Sequence, residues 1–307
     1  MKIKNFTLLL AGMTMGFASC NLDSDPESNY MIGEYTACNH VSSIDGDAFV
    51  TNASYKLTIY YTEGLASLST ANLSLGYGTK NFATTNMPYT VKYVGDQTTG
   101  YYDMTSFTGG TSNQEGLTIT NVKGTASSGV NILGPKDPQL TGYEFKPYIP
   151  IVLSYNVNDD YTVKTFAKDA IYNGTTNVRN AASGDIFTNN DVRYRVVFSE
   201  DFKKADVIFY DAKFASRMEP ITFVLKGLSV NITKAGYTIT NPEGEVIIPL
   251  WWESNGFTEM ENYPVTSFLL TNVSDNLTMA TVNYTVALGP ITYNCDFTGQ
   301  YVYLGEN

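Results

Sequence analysis

The chain holds a single histidine, two tryptophans and three cysteines in 307 residues, and these scarcities exclude whole classes of chemistry. One imidazole cannot build an HExxH zinc site or a multi-histidine metal cage. A Ser-His-Asp triad would have to use that same His40. It sits in ACNHV, within the first predicted strand, and no G-x-S-x-G elbow is present to serve it. His40 is therefore read as a surface or strand-end residue. Glycine-rich phosphate loops are missing too, since GYGTK at Gly76 has neither the spacing nor a following helix. Positive charge is short: 19 Lys and Arg against 30 Asp and Glu give a formal net charge of -11, which sets nucleic acid aside as a partner.

Long apolar runs are confined to the N-terminus, MKIKNFTLLLAGMTMGFASC, where Lys2 and Lys4 precede an uncharged run from Phe6 to Phe17. The run is too short to span a bilayer comfortably, and with its basic flank it reads as a processed export signal over residues 1–19. The ending Ala18-Ser19-Cys20 resembles the lipobox of bacterial lipoproteins, although Phe17 stands where that motif usually has Leu. The resemblance implies lipid attachment at Cys20 and a membrane partner reached through that anchor. A plain secretory peptide with an incidental cysteine is the alternative. NLDSDPESNY follows, and its Asp23, Asp25, Glu27 and Pro26 make residues 20–29 a solvated tether rather than core. This acidic tract resembles the surface-export signal of Bacteroides-type lipoproteins, which implies an outer-membrane lipoprotein facing outward. A charged linker on a periplasm-facing protein is the other reading.

What the chain has in quantity is tyrosine, 23 residues of it. YKLTIYY, MPYTVKYV, IPIVLSYNV, VRYRVVF, ADVIFYDAKF, PITFVLKG, ATVNYTVAL and GQYVYL alternate with period two between Gly, Asn, Asp and Pro clusters, which predicts an all-β protein. The strands also echo one another in order. YTACNHV at Tyr35 aligns with YNGTTNV at Tyr172, YKLTI at Tyr55 with YRVVF at Tyr194, and ASLSTANLSLG at Ala66 with ADVIFYDAKFA at Ala205. PYTVKYVG at Pro88 then aligns with PITFVLKG at Pro220, LTITNVKGT at Leu117 with YTITNPEGE at Tyr237, and SYNV at Ser154 with NYTV at Asn283. Collinear matches predict a duplication, with tandem antiparallel meander domains over residues 30–168 and 169–307.

Short sequential strands with turn chemistry between them predict barrels, or alternatively β-sandwiches. Here the chain resembles the calycin-like, or lipocalin-like, lipoproteins of Bacteroidetes. The residues that carry the likeness are Tyr172 to Gly174, IFYDAKFASRMEPITFVLKG, GYTIT with the later VIIPL, and ITYNCDFTGQYV. The resemblance implies an antiparallel barrel and a small-molecule cavity, without an established activity.

Candidate sites are few. PLWWESNGFTEMENYP, Pro249 to Pro264, reads as a long irregular insertion with both tryptophans, Trp251 and Trp252, as candidate ligand contacts. The competing reading has one ring plugging the end of the second barrel while the other covers its neighbour. Paired carboxylates would allow glycoside hydrolysis, but nothing marks a pair, and Asp159-Asp160 reads as a hairpin turn. Asp45 and Asp47 in SIDGDAF fall short of a calcium loop. Cys38 and Cys295, in the first strand of one copy and the last of the other, are expected to be free thiols unless the copies share one sheet. No catalysis, metal or cofactor is expected. The favoured function is capture of a small molecule or glycan by a lipid-anchored binding protein. A structural or adhesive subunit assembling by strand addition comes second, and a carboxylate-based hydrolase third.

Overall fold

Alternation along the predicted strands becomes alternation between the inside and the outside of a barrel wall. This computed structural model describes residues 30–301 apart from residues 61–62, 77, 97–99, 111, 115, 128–139, 145–150, 254–255 and 275. The export signal, the tether and Cys20 lie outside the described residues. No helix among the described residues is long and apolar enough to cross a membrane.

The first barrel comprises β1 (Tyr30–Ser43), β2 (Ala48–Tyr60), β3 (Leu65–Ser74), β4 (Thr79–Asp96), β5 (Gly100–Thr108), the short β6 (Ser112–Gln114), β7 (Leu117–Ser127), β8 (Ile151–Val157) and β9 (Tyr161–Phe166). Eight of them form a ring, β1-β2-β3-β4-β5-β7-β8-β9. It is closed where β9 returns antiparallel to β1, from Cys38↔Phe166 to Ser43↔Tyr161. The second barrel comprises β10 (Asp169–Asn180), β11 (Ile186–Phe198), β12 (Lys204–Ala212), β13 (Ile221–Thr233), β14 (Gly236–Thr240), β15 (Leu250–Glu253), β16 (Gly256–Glu259), β17 (Val265–Asn272), β18 (Met279–Leu288) and β19 (Ile291–Tyr301). Its ring is β10-β11-β12-β13-β14-β17-β18-β19, closed by β19 on β10. The sandwich alternative is thereby excluded, because each sheet returns to its own first strand.

The duplication is written in the register. Tyr35 pairs with Tyr55 in the first barrel and Tyr172 with Tyr194 in the second. Ile59↔Ala66 has its counterpart in Phe198↔Ala205. Irregularities interrupt the next ladder between Ala66 and Leu68 and between Thr70 and Leu73, and again between Ala205 and Val207 and between Phe209 and Ala212. Bulges are local and specific features, so their recurrence at matched positions is stronger than any similarity of letters.

Two of the sequence echoes are corrected by the same ladders. Pro88 stands opposite Leu65, where the second barrel has Ser229 opposite Lys204, so Pro88 does not correspond to Pro220. LTITNVKGT lies on β7, the sixth stave of its ring, whereas YTIT lies on β14, the fifth of the other. Strands of limited alphabet resemble one another locally, and only the pairing decides which stave is which.

Both interiors are filled with side chains. In β2 the buried positions are Ala53, Tyr55, Leu57 and Ile59, with exposed or partly exposed residues between them. At the centre of the first barrel, Tyr55 Oη donates to Asn39 Oδ1 at 2.6 Å and meets Tyr155 Oη at 3.0 Å. The matched residues of the second barrel repeat this, Tyr194 Oη meeting Thr176 Oγ1 at 3.1 Å and Tyr284 Oη at 3.3 Å. A second cluster sits toward the end of that barrel next to Phe166, where Asn272 Nδ2 donates to Tyr172 Oη, Tyr237 Oη and the Leu277 carbonyl. Burial drives all of these phenols above their usual pKa, because a phenolate would lose its hydration without gaining a cation.

The wall of the first barrel covers one end of the second. Outward residues of β1 and β9 are buried under the second barrel, where Phe166 meets Phe198, Phe202 and Tyr237 at centroid distances of 5.4, 6.1 and 5.4 Å. Polar groups at this contact reach across it: His40 Nε2 is 2.7 Å from the Thr233 carbonyl, and Lys164 Nζ donates to the Ser274 carbonyl at 3.3 Å. His40 is thus neither exposed nor near a nucleophile but part of the seam between barrels.

Candidate functional site

The tryptophan segment is a β-hairpin, not an irregular insertion, and the barrel wall explains its position. β14 has only five residues and pairs with β13 between Ser229 and Thr233. The edge of β13 near Phe223 is left open by so short a neighbour, and β15 fills it through Phe223↔Trp251 and Val224↔Leu250. β16 then folds back on β15 from Leu250↔Glu259 to Glu253↔Gly256. The approach from β14 is fixed by Asn241, whose side chain bonds the Glu245 and Thr266 carbonyls and the Phe268 amide. An isolated bridge between Ile247 and Val265 completes the hinge.

Paired residues share a face, so the register assigns the two rings opposite sides. Trp251 lies beside inward-facing Phe223. It walls an apolar cavity of about 70 Å³ at the end of the second barrel, together with Phe214, Phe223, Met218, Met260 and Tyr263. Trp252 turns outward and packs edge-on against Phe257 at 5.0 Å. Trp251 thus stands at the barrel end and Trp252 on the outer side of the hairpin.

No charged residue lines the cavity. The two methionines give it a soft wall able to adjust around an apolar guest. A sugar would have to bury hydroxyls there without partners, at a cost of about 1–3 kcal/mol each. The arrangement is therefore suited to holding a small uncharged apolar group, and it offers no nucleophile or general base.

The remaining candidate residues do not converge on this site. Cys38 and Cys295 are free and buried. Desolvation pushes both thiols up to about 12, so neither is a reactive thiolate. Cys38 faces the seam and donates to Asn52 Oδ1 at 3.7 Å, while Cys295 points into the second barrel beside Tyr284. Asp159 and Asp160 form the β8–β9 turn, with the Asp160 amide bonded to the Val157 carbonyl. Asp45 and Asp47 lie exposed between β1 and β2. Among the described residues no group of three or more His, Cys, Asp and Glu side chains is placed to hold a metal ion.

Sequence reasoning missed the polar anchor on the outer wall next to the hairpin. Arg195 on β11 is 2% exposed and makes two 2.6 Å bonds to the carboxylate of Asp169, at the junction of the barrels. Its Nη1 also donates to the Tyr143 carbonyl at 2.6 Å. An arginine set between Tyr194 and the apolar Val196, Val197 and Phe198 was the available signal.

No protein-family model matches the chain, and no curated protein matches it. Among solved structures, a candidate outer membrane protein of Bacteroides fragilis aligns with 87% of this chain and 96% of its own at 14% identity and a TM-score of 0.32. Intact transferrin-binding protein B, with its N and C lobes, aligns with 94% of this chain and 87% of its own at 8% identity and a TM-score of 0.24. A tryptophan-to-alanine mutant of that vaccine antigen from Haemophilus parasuis aligns with 87% of this chain and 75% of its own at 8% identity and a TM-score of 0.25. At these scores the fold and function of the present chain rest on its own ladders and side chains.

Proposed function

We propose that the protein is a binding protein, held at the outer membrane through lipid on Cys20, whose second barrel captures a small apolar ligand at its Trp251 end. The observation that carries this reading is the cavity at the end of an otherwise filled barrel, walled by a dedicated hairpin and free of charged groups. The same chemistry turns the expectation of a glycan toward an apolar molecule, with Trp251 as the contact and Trp252 as a structural ring. Closure of both rings weighs against the adhesive alternative, because no stave is free to be exchanged and the open edges among the described residues are the short β6 and β16.

Native mass spectrometry of the mature domain pair tests the reading, comparing protein from its own host with protein made elsewhere. An extra apolar mass on host material that is lost in Trp251→Ala supports it. Higher oligomers without any adduct would shift the assignment to assembly. For the anchor, Cys20→Ala is expected to release the protein from the membrane fraction.

A further inference from the structure

The hairpin that walls the cavity has a second face, and the first barrel holds it. Trp252 rests edge-on against Phe257, and Phe257 rests edge-on against Tyr143 at 5.8 Å. Tyr143 lies among residues 140–144, in the connection between β7 and β8 of the first barrel. Lys226 Nζ lies 5.5 Å from the centroid of Tyr143 and 5.7 Å from that of Phe257, bridging the two rings as a cation. Leu140 and Tyr143 are 1% and 9% exposed, packed with Ile208, Tyr210 and Val224 of the second barrel's outer wall.

Tyr143 is anchored independently of the hairpin. Its carbonyl accepts from Arg195, and its hydroxyl donates to Asp206 Oδ2 at 2.6 Å. The other oxygen of Asp206 accepts the Gly227 amide at 2.7 Å. The hairpin, by contrast, has little ladder of its own. β15 meets β13 at two residue pairs, and β16 is the terminal strand of the sheet among the described residues. A two-stranded hairpin this short is marginal in water and takes its order from what packs against it.

We infer that residues 140–144 are a clamp by which the first barrel positions the wall of the second barrel's ligand site, with Tyr143 as the positioning residue. Neither Leu140 nor Tyr143 lines the cavity; they act through Phe257 and Trp252. The part of this inference that concerns affinity rests on the cavity being the ligand site. The part that concerns the order of the hairpin does not.

The test uses the mature full chain, amide hydrogen exchange over β15 and β16, and titration with the uncharged dye N-phenylnaphthylamine. Tyr143→Ala removes an aromatic contact and is expected to speed exchange of the hairpin amides about tenfold and to weaken dye binding about tenfold. Leu140→Ala loosens the same clamp while sparing the Arg195 and Asp206 anchors and the hairpin's own Trp252–Phe257 contact, and it decides the matter if Tyr143→Ala does not fold. Hairpin exchange at the wild-type rate in a folded variant overturns the clamp. Faster exchange with unchanged dye affinity overturns its link to the site. If the wild-type protein takes up no dye, the cavity reading falls while the exchange result still decides the clamp.

Discussion

The two barrels share a register, a pair of bulges and a buried hydroxyl network, yet among the described residues only the second carries an aromatic end with a hairpin across it. The divergence begins with single matched positions. Phe209 stacks on Phe223 at 4.3 Å and 10° in the second barrel. In the first, Thr70 stands opposite Phe82, gives its hydroxyl to the Ser54 carbonyl, and leaves Phe82 to pack on Tyr155 at 5.2 Å. Arg195 has Lys56 as its counterpart, one residue after the matched tyrosine, and Lys56 faces solvent. A duplicated wall thus keeps what closes the ring, while its outward and terminal positions are free to take up other tasks.

The arginine comparison predicts the largest effect. Arg195→Ala strips the partner from Asp169, which is partly open to water, and from the buried Tyr143 carbonyl, and it should cost about 3 kcal/mol. Lys56→Ala, at the matched but solvated position, should stay within about 0.5 kcal/mol. Urea unfolding of both variants measures the difference, and equal costs would remove the idea that the second copy's outer wall has been recruited to hold the barrels together.

The hydroxyl network gives the next effect, with the opposite expectation for the comparison. Tyr55→Phe and Tyr194→Phe each delete an oxygen that serves two buried partners, so each should cost about 1–3 kcal/mol. If the interior is the conserved part of the duplication, the two costs will agree within error. A large cost in one barrel and none in the other would mean that the shared geometry is not shared energetics.

How much of this was legible follows from how local each feature is. Period-two alternation identified the staves, because each strand carries its own inside and outside. The alignment of Tyr55 with Tyr194, and of Tyr155 with Tyr284, already named the four phenols that meet in pairs. LTIT and YTIT misled because similarity between short strands says nothing about their place in a ring. Trp251 and Trp252 stood out by rarity, but which ring faces the cavity depends on the pairing of Trp251 with Phe223, a contact set by the short reach of β14. The Tyr143 clamp had no sequence signature, since its bonds to Arg195 and Asp206 join residues 52 and 63 positions apart and involve no periodic segment.

His40 supplies the smallest and most specific test, because its counterpart in the second copy is Asn177, an exposed residue on β10. Burial lowers the His40 pKa below 6.5, with the bond to the Thr233 carbonyl opposing the shift and the charge of nearby Lys164 adding to it. Nδ1 has no hydrogen-bond partner, so a proton arriving there would place a second cation beside Lys164 within the seam. The unfolded chain binds that proton at its ordinary value of 6.5, whereas the folded chain resists it. Stability is therefore level above pH 6.5 as far as this group is concerned. It falls as the pH drops from 6.5 toward the lowered folded value, by at most about 1.4 kcal/mol per pH unit. His40→Asn, which imports the residue of the second copy, should abolish this component of the pH dependence between pH 7.5 and 5.5 in urea titrations while leaving other titrations in place. An unchanged slope in the variant would mean that the seam accepts the imidazolium, and that the two barrels part or hydrate there more readily than the buried contact of Phe166 with Phe198 and Tyr237 implies.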